Sequence, residues 1–174
     1  MDSHRVWCLG CGVFLMSALM GFGEPVNTMT ISTPAFAQGE PMPVRFAYKG
    51  QNISPEVRIA NVPATARSLV LIVDDPDAPM GLWTHWLVWN LPADTTSIPE
   101  GKVPVGTVQG KNSNGHARYD GPAPPSGMHR YFFHLYALDT AVTLAEGSGR
   151  AALEQAMSGH VVGKAETFGV YAAH

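Results

Sequence analysis

Charge is scarce in this chain: Asp, Glu, Lys and Arg make up only 14% of its 174 residues, and the formal net charge is −3. Lys and Arg never form a run, so neither a nucleic-acid groove nor a polybasic membrane patch is expected. Cysteine is nearly absent too. The two present, Cys8 and Cys11, both lie in an apolar N-terminal stretch. Their C-x-x-C spacing imitates a redox or zinc half-site, but the core of an export signal is the wrong setting for either. No G-x-S-x-G, H-x-x-x-H or H-x-H pattern occurs. An activated serine is therefore not indicated, and the signal for a metal is weak. Helical periodicity is also rare, and is clear only over residues 151–157.

Turn formers are abundant, with 18 glycines and 14 prolines, which points to many reversals and a β-rich chain. The length suits one domain with a full core. Residues 6–23 are almost wholly apolar or small and follow His4 and Arg5, as in a secretory signal peptide cut near Gly21, Phe22 and Gly23. The same run is long enough for a retained membrane anchor. The expected organisation is a signal peptide over residues 1–23 and one domain over residues 24–174, in a periplasmic or secreted setting. Removal of the signal leaves a cysteine-free mature protein.

Short strands are expected over residues 29–37, 43–48 and 57–59, with a turn at residues 52–55. Residues 68–74 form a continuous apolar run, expected to be a central strand buried on both faces. The aromatic and β-branched segment 84–90 and residues 128–138 are further strands, and residues 102–123 read as a long ordered loop. The expected fold is all-β dominated: two packed sheets with one or two short peripheral helices.

The chemistry-bearing residues gather at the ends of these strands. Asp75 and Asp77 follow the apolar run, in a turn stiffened by Pro76 and Pro79. Their ordinary role would be to cap backbone N–H groups in that turn. His129 and Tyr131 leave one face of a strand, and Arg130, Phe132 and His134 leave the other. Histidine within an apolar strand is commonly a satisfied core residue, and His134 is assigned nothing more. His85 shares a face with Trp83, which suits either a pocket wall or core filling. Gly121 could bring a backbone amide close to an anion. His116 and His160 are assigned no role. Three uses compete for this set. A metal centre would draw on Asp75, Asp77, His85 and His129. Nucleophilic catalysis lacks an actor, so no catalytic residue is assigned. A small phosphate-bearing or zwitterionic ligand fits best: imidazoles, a phenol and loop amides meet the oxygens, and carboxylates accept from a cationic end.

Asp75-Pro-Asp-Ala-Pro79, Trp83-Thr-His-Trp-Leu-Val-Trp-Asn90, Gly121-Pro122 and Gly127-Met-His-Arg-Tyr131 together resemble the phosphatidylethanolamine-binding protein (PEBP) family. The likeness is to its bacterial, Raf-kinase-inhibitor-like branch. Ser54-Pro55, Val62-Pro63, Lys111-Asn112 and Met157-Ser-Gly-His-Val161 strengthen it, and it spans residues 29–171. The resemblance implies a β-sandwich with a small anion-binding pocket near one end. By position, that pocket would use Asp75, Asp77, His85, Gly121, Pro122, His129 and Tyr131, with Trp83 nearby. It further implies a cis Ala78–Pro79 bond, a regulatory or ligand-binding role without a cofactor, and a homodimer as in some bacterial members. A transient membrane-surface or protein partner is compatible with it. Thr84 departs from the pattern, standing where animal members tend to carry a second histidine. The rival readings are a protein-interaction module of the kinase- or protease-inhibitor kind and a metal-dependent phosphoesterase using the same Asp/His set.

Overall fold

In the computed structural model, which describes residues 28–173, the apolar run becomes strand β3 (Ser68–Asp75), and all eight of its residues are buried. Alternation along it sends side chains into two separate cores. Leu69, Leu71 and Val73 join one apolar cluster, and Val70 and Ile72 join the other. Something must therefore cover both faces. β3 is the middle of a five-stranded antiparallel sheet, between β4 (Trp83–Pro92) and β7 (Met128–Leu138). Short β6 (Val108–Gly110) and long β8 (Val161–Ala172) form its edges.

A three-stranded sheet covers the inner face: β1 (Thr30–Ser32), β2 (Val57–Ala60) and β5 (Ser97–Ile98). It contributes Ile31, Val57, Ile59 and Ile98 to the first core. Helix α1 (Arg150–Met157), the one α-helix among the described residues, covers the outer face, burying Leu153 and Met157 beside Trp89, Leu138 and Val142. The expected fold class is thus the observed one: mostly β, two packed antiparallel sheets and one peripheral helix. Among the described residues no helix is long and apolar enough to cross a membrane. The expected signal segment, with Cys8 and Cys11, lies outside the described residues.

Several local expectations are corrected. The strand expected over residues 43–48 is a 3-10 turn at Val44–Phe46, closed by Phe46 N–H to Pro43 O and Ala47 N–H to Val44 O, each 3.0 Å. It buries Phe46 completely while Val44 and Arg45 face solvent, which a period-two strand could not do. The strand expected over residues 29–37 stops at Ser32. There Thr33 Oγ1 accepts from Ala35 N–H across Pro34, which has no N–H for a ladder. The loop 102–123 contains β6. β8, the longest strand, was not anticipated: its face alternates half-buried and exposed residues, with two glycines and several polar side chains.

No described peptide bond is cis, so the expected cis Ala78–Pro79 is also corrected. The β3–β4 reversal closes with trans prolines, through Asp77 N–H to Asp75 Oδ1 (2.8 Å) and Gly81 N–H to Ala78 O (3.0 Å). Gly81 supplies the left-handed step at φ +93°, a conformation open to glycine.

Candidate functional site

At one end of the inner face the core stops being hydrocarbon. Asp75 continues the Leu69, Leu71, Val73 side of β3, and His129 and Tyr131 continue the Phe133, Leu135 side of β7. All three are buried. Asp74, one residue earlier, goes to the outer face and pairs with Arg150 (2.6 Å) and His134 (3.3 Å). Burial alone would raise the Asp74 carboxyl, but its hydrogen bonds to His134 and Arg150 outweigh that and hold it below the usual range.

His85 reaches the same place through a bulge. Val73 pairs with Trp86 and Asp74 with Thr84, so His85 is the extra residue of β4 at this step. Strict alternation would send His85 and Trp86 to opposite faces; the bulge lets both turn inward. Its carbonyl is taken up by the loop instead of β3, accepting from Asp120 N–H at 3.1 Å. Its ring stands edge-on to Tyr131, with centroids 5.1 Å apart. The outcome is a cavity of about 360 Å3 lined by Asp75, Trp83, His85, Gly121, His129 and Tyr131, with the 78–80 turn and Tyr48 at the rim. That volume suits a small molecule rather than a large ligand.

Both imidazoles are pinned at Nδ1. His129 Nδ1 donates to Asp75 Oδ2 at 2.7 Å, and His85 Nδ1 donates to the Asp120 carbonyl at 2.7 Å. A carbonyl only accepts, so the His85 proton sits on Nδ1. Burial lowers the His85 pKa, outweighing the upward pull of the Asp120 carbonyl and of the Asp75, Asp120 and Asp74 charges. His85 is therefore neutral at neutral pH, with a lone pair on Nε2. That Nε2 is buried and lacks a hydrogen-bond partner among the described residues, and the Tyr131 hydroxyl is buried near the Asp75 carboxylate with no partner within 3.5 Å. Burial, with the nearby Asp75 charge, raises the Tyr131 pKa, so the phenol keeps its proton.

Of the residues expected from sequence, Asp75, Trp83, His85, Gly121, His129 and Tyr131 come together; Asp77 and Pro122 do not. Asp77 turns outward and grips the Arg130 guanidinium at 2.6 and 2.8 Å, while also accepting the Arg130 N–H at 3.0 Å. That partner draws its carboxyl down to about 2. Pro122 is buried behind the wall, its carbonyl accepting from Tyr48 N–H. The Gly121 amide does not face the cavity as a free donor either: it donates to Asn52 Oδ1 at 2.7 Å. Glycine is needed there for close approach, since a Cβ would fall 1.9 Å from the Phe46 carbonyl oxygen. With Asp77 turned away, the four side chains considered for a metal do not converge. Among the described residues no three His, Cys, Asp or Glu side chains form a metal site.

Sequence reasoning missed the hub behind His85. The Asp120 carboxylate is buried and receives Asn112 (3.0 Å), Asn114 (3.0 Å), His116 (2.7 Å), Arg118 (3.3 Å) and Asn52 (3.4 Å). Burial alone would raise its pKa, but the bonds from His116, Asn114, Asn112 and Asn52 outweigh it, and the pKa is lowered. The hub fixes the segment whose carbonyl holds His85. The signal available in sequence was the density of Asn, His and Asp between residues 112 and 120, within a glycine-rich loop.

Comparison with known proteins agrees with this fold. The sequence model described as "Phosphatidylethanolamine-binding protein" matches residues 32–172. A UPF0098 protein of Methanothermobacter thermautotrophicus is 47% identical over 148 residues, 82% of this chain and 98% of its own length. One from Pyrococcus horikoshii is 41% identical over 168 residues, 91% of this chain and 84% of its own. Among solved structures, a PEBP homologue from Chlamydia trachomatis superposes with a TM-score of 0.81 at 40% identity, covering 85% of this chain and 99% of that one. Escherichia coli YbcL, described as a member of the mammalian PEBP family, gives 0.79 at 30% identity, covering 84% and 99%.

Proposed function

Because the chain belongs to the phosphatidylethanolamine-binding protein family, we propose that its cavity holds a small phosphate-bearing or zwitterionic group such as phosphoethanolamine. One observation carries the proposal: His85 and Tyr131, whose rings meet edge-on in the cavity wall, bring to it two buried polar atoms, Nε2 and Oη, with no partner within 3.5 Å among the described residues. An unsatisfied buried polar group costs about 1–3 kcal/mol, and a ligand that supplies its partner recovers that cost. His129, oriented by Asp75, lines the same space. The cationic end of a zwitterion is met by the Asp75 carboxylate and by the faces of Trp83 and Tyr48 at the rim. Asp77 takes no part, since Arg130 occupies it.

Tyr131→Phe tests this reading. It removes a buried hydroxyl that has no partner within 3.5 Å among the described residues and keeps the ring that packs on His85. The expected result is unchanged or slightly higher thermal stability without ligand. Phosphoethanolamine affinity should fall about ten- to a hundredfold by calorimetry, the loss of one hydrogen bond to a charged group. Equal affinity in wild type and variant would remove the cavity from consideration. The apolar segment at residues 6–23 makes export part of the proposal, checked by fractionating cells that express the full chain.

One feature favours the interaction-module reading as the second choice. Met80 and Leu82 are exposed beside the mouth, at 85% and 54%. A protein partner whose capture survives His85→Ala and His129→Ala would support it.

A further inference from the structure

We infer that the protein carries a second binding site, beside the Asp120 hub, for a small oxyanion such as a carboxylate or inorganic phosphate. Five segments distant in sequence meet there around a hollow of about 240 Å3. They are residues 52–54, Trp86 of β4, residues 101–103 after β5, Gln109 of β6 and residues 118–119. The hollow shares no lining residue with the inner cavity and does not depend on what that cavity holds. The two also differ in charge. The inner cavity is lined by a carboxylate, Asp75, and by no Lys or Arg; the second hollow is lined by Lys102 and Arg118 and by no carboxylate.

Spare hydrogen-bonding capacity points to the ligand. Gln109 Oε1 accepts from the Trp86 indole N–H at 2.8 Å, so its oxygen is taken and its amide N–H groups are left over. Asn52 is engaged at both ends, its Oδ1 accepting from Gly121 N–H at 2.7 Å and its amide reaching Asp120 at 3.4 Å. The Tyr119 hydroxyl donates to the Phe46 carbonyl at 3.1 Å. Four groups of the lining have no partner within 3.5 Å among the described residues: the Gln109 NH2, the Ser54 hydroxyl, the Lys102 ammonium and the terminal N–H groups of Arg118. All four can donate, and two are cationic. Arg118 spends only its Nε on Asp120, at 3.3 Å, so it can hold a ligand oxygen and keep its place in the hub.

Burial separates this arrangement from ordinary surface charge. Lys102 and Arg118 are exposed, and by themselves two such cations would be solvated. Ser54, in contrast, is only 3% exposed, and Gln109 is half-buried. Donors withdrawn from solvent cost stability until something accepts from them. The neighbouring carboxylates are already committed: Glu100 is held by Arg45 at 3.1 Å, and the buried Asp120 serves its own five donors. The floor is aromatic, with Trp86 and Tyr119 edge-on at 5.7 Å. The volume falls below the range of drug-sized sites, about 300–1,000 Å3, and suits a ligand of few heavy atoms.

Nuclear magnetic resonance of the 15N-labelled full chain reads the site through the Trp86 indole N–H and the Gln109 side-chain NH2. Sodium acetate and sodium phosphate are titrated at pH 7 against sodium chloride of equal ionic strength, which separates binding from screening. At least one of the two anions should shift both signals saturably, and which one does so assigns the carboxylate or the phosphate class. Gln109→Glu keeps an oxygen to accept from Trp86 and replaces the donor amide with a second acceptor. It should weaken that binding by about tenfold or more, the loss of a hydrogen bond to a charged group. Lys102→Ala, an exposed position that does not threaten the fold, should weaken it by about the same factor. Shifts that follow ionic strength alone, or a saturable shift with the same midpoint in wild type and both variants, would overturn the inference. Either result leaves the reading of the inner cavity untouched.

Discussion

Asp75 and Asp77 stand two residues apart in one stiff turn and do different work. Asp75 faces inward and fixes the His129 tautomer; Asp77 faces outward and anchors the start of β7 through Arg130. Residue type and spacing are the same for both, and only position in the sheet separates them. Gly121 shows the same dependence on context. Its absent side chain makes room for the Phe46 carbonyl, and its amide is bound to Asn52 instead of pointing into the cavity. Gly121→Ala forces backbone against backbone, so urea denaturation should show a loss of about 3 kcal/mol, the upper part of the overpacking range. It should also weaken phosphoethanolamine binding, because Asp120, which holds His85, is the preceding residue.

At the scale of elements, the bulge in β4 and the helix on the outer face place the site. The bulge turns His85 inward beside Trp86, and the 112–120 loop accepts the backbone group that β3 leaves unpaired. Helix α1 acts from the far side of the sheet. Leu153 is fully buried, and Arg150 ties the helix to Asp74, next to Asp75 in β3. Leu153→Ala should cost about 2–5 kcal/mol of stability. It should leave phosphoethanolamine affinity within about threefold while the protein remains folded, since the cavity lies on the opposite face. The strands that periodicity predicted well, β3, β4 and β7, are those buried deeply enough for apolar residues to dominate. β8 is an edge strand, so its alternation of polar and small residues carried little signal.

For the whole molecule, acid should be the main solvent threat. The pKa values of Asp74, Asp77 and Asp120 are all lowered in the fold. A carboxyl with a depressed folded pKa binds more protons when unfolded. Its stabilisation is therefore present above the unfolded value, about 3.9, and is lost as pH falls through the folded value. Stability measured by urea denaturation should decline from about pH 5 towards pH 2. Asp77 is partly exposed and screened, so Asp77→Asn should leave that profile nearly unchanged, whereas Asp120→Asn should flatten it.

The local pattern of the chain was enough to determine the buried central strand, the shared face of His129 and Tyr131, the late helix and the family motifs. Each depends on residues close together in sequence, where the period of a strand or helix speaks directly. What it could not determine is which polar groups have partners. Among the described residues His85 Nε2 has no partner because of a one-residue step in register, while Asp77 and Gly121 are engaged by Arg130 and Asn52, 53 and 69 positions away. Free hydrogen-bonding capacity is a property of packed neighbours, so only the tertiary structure could decide it.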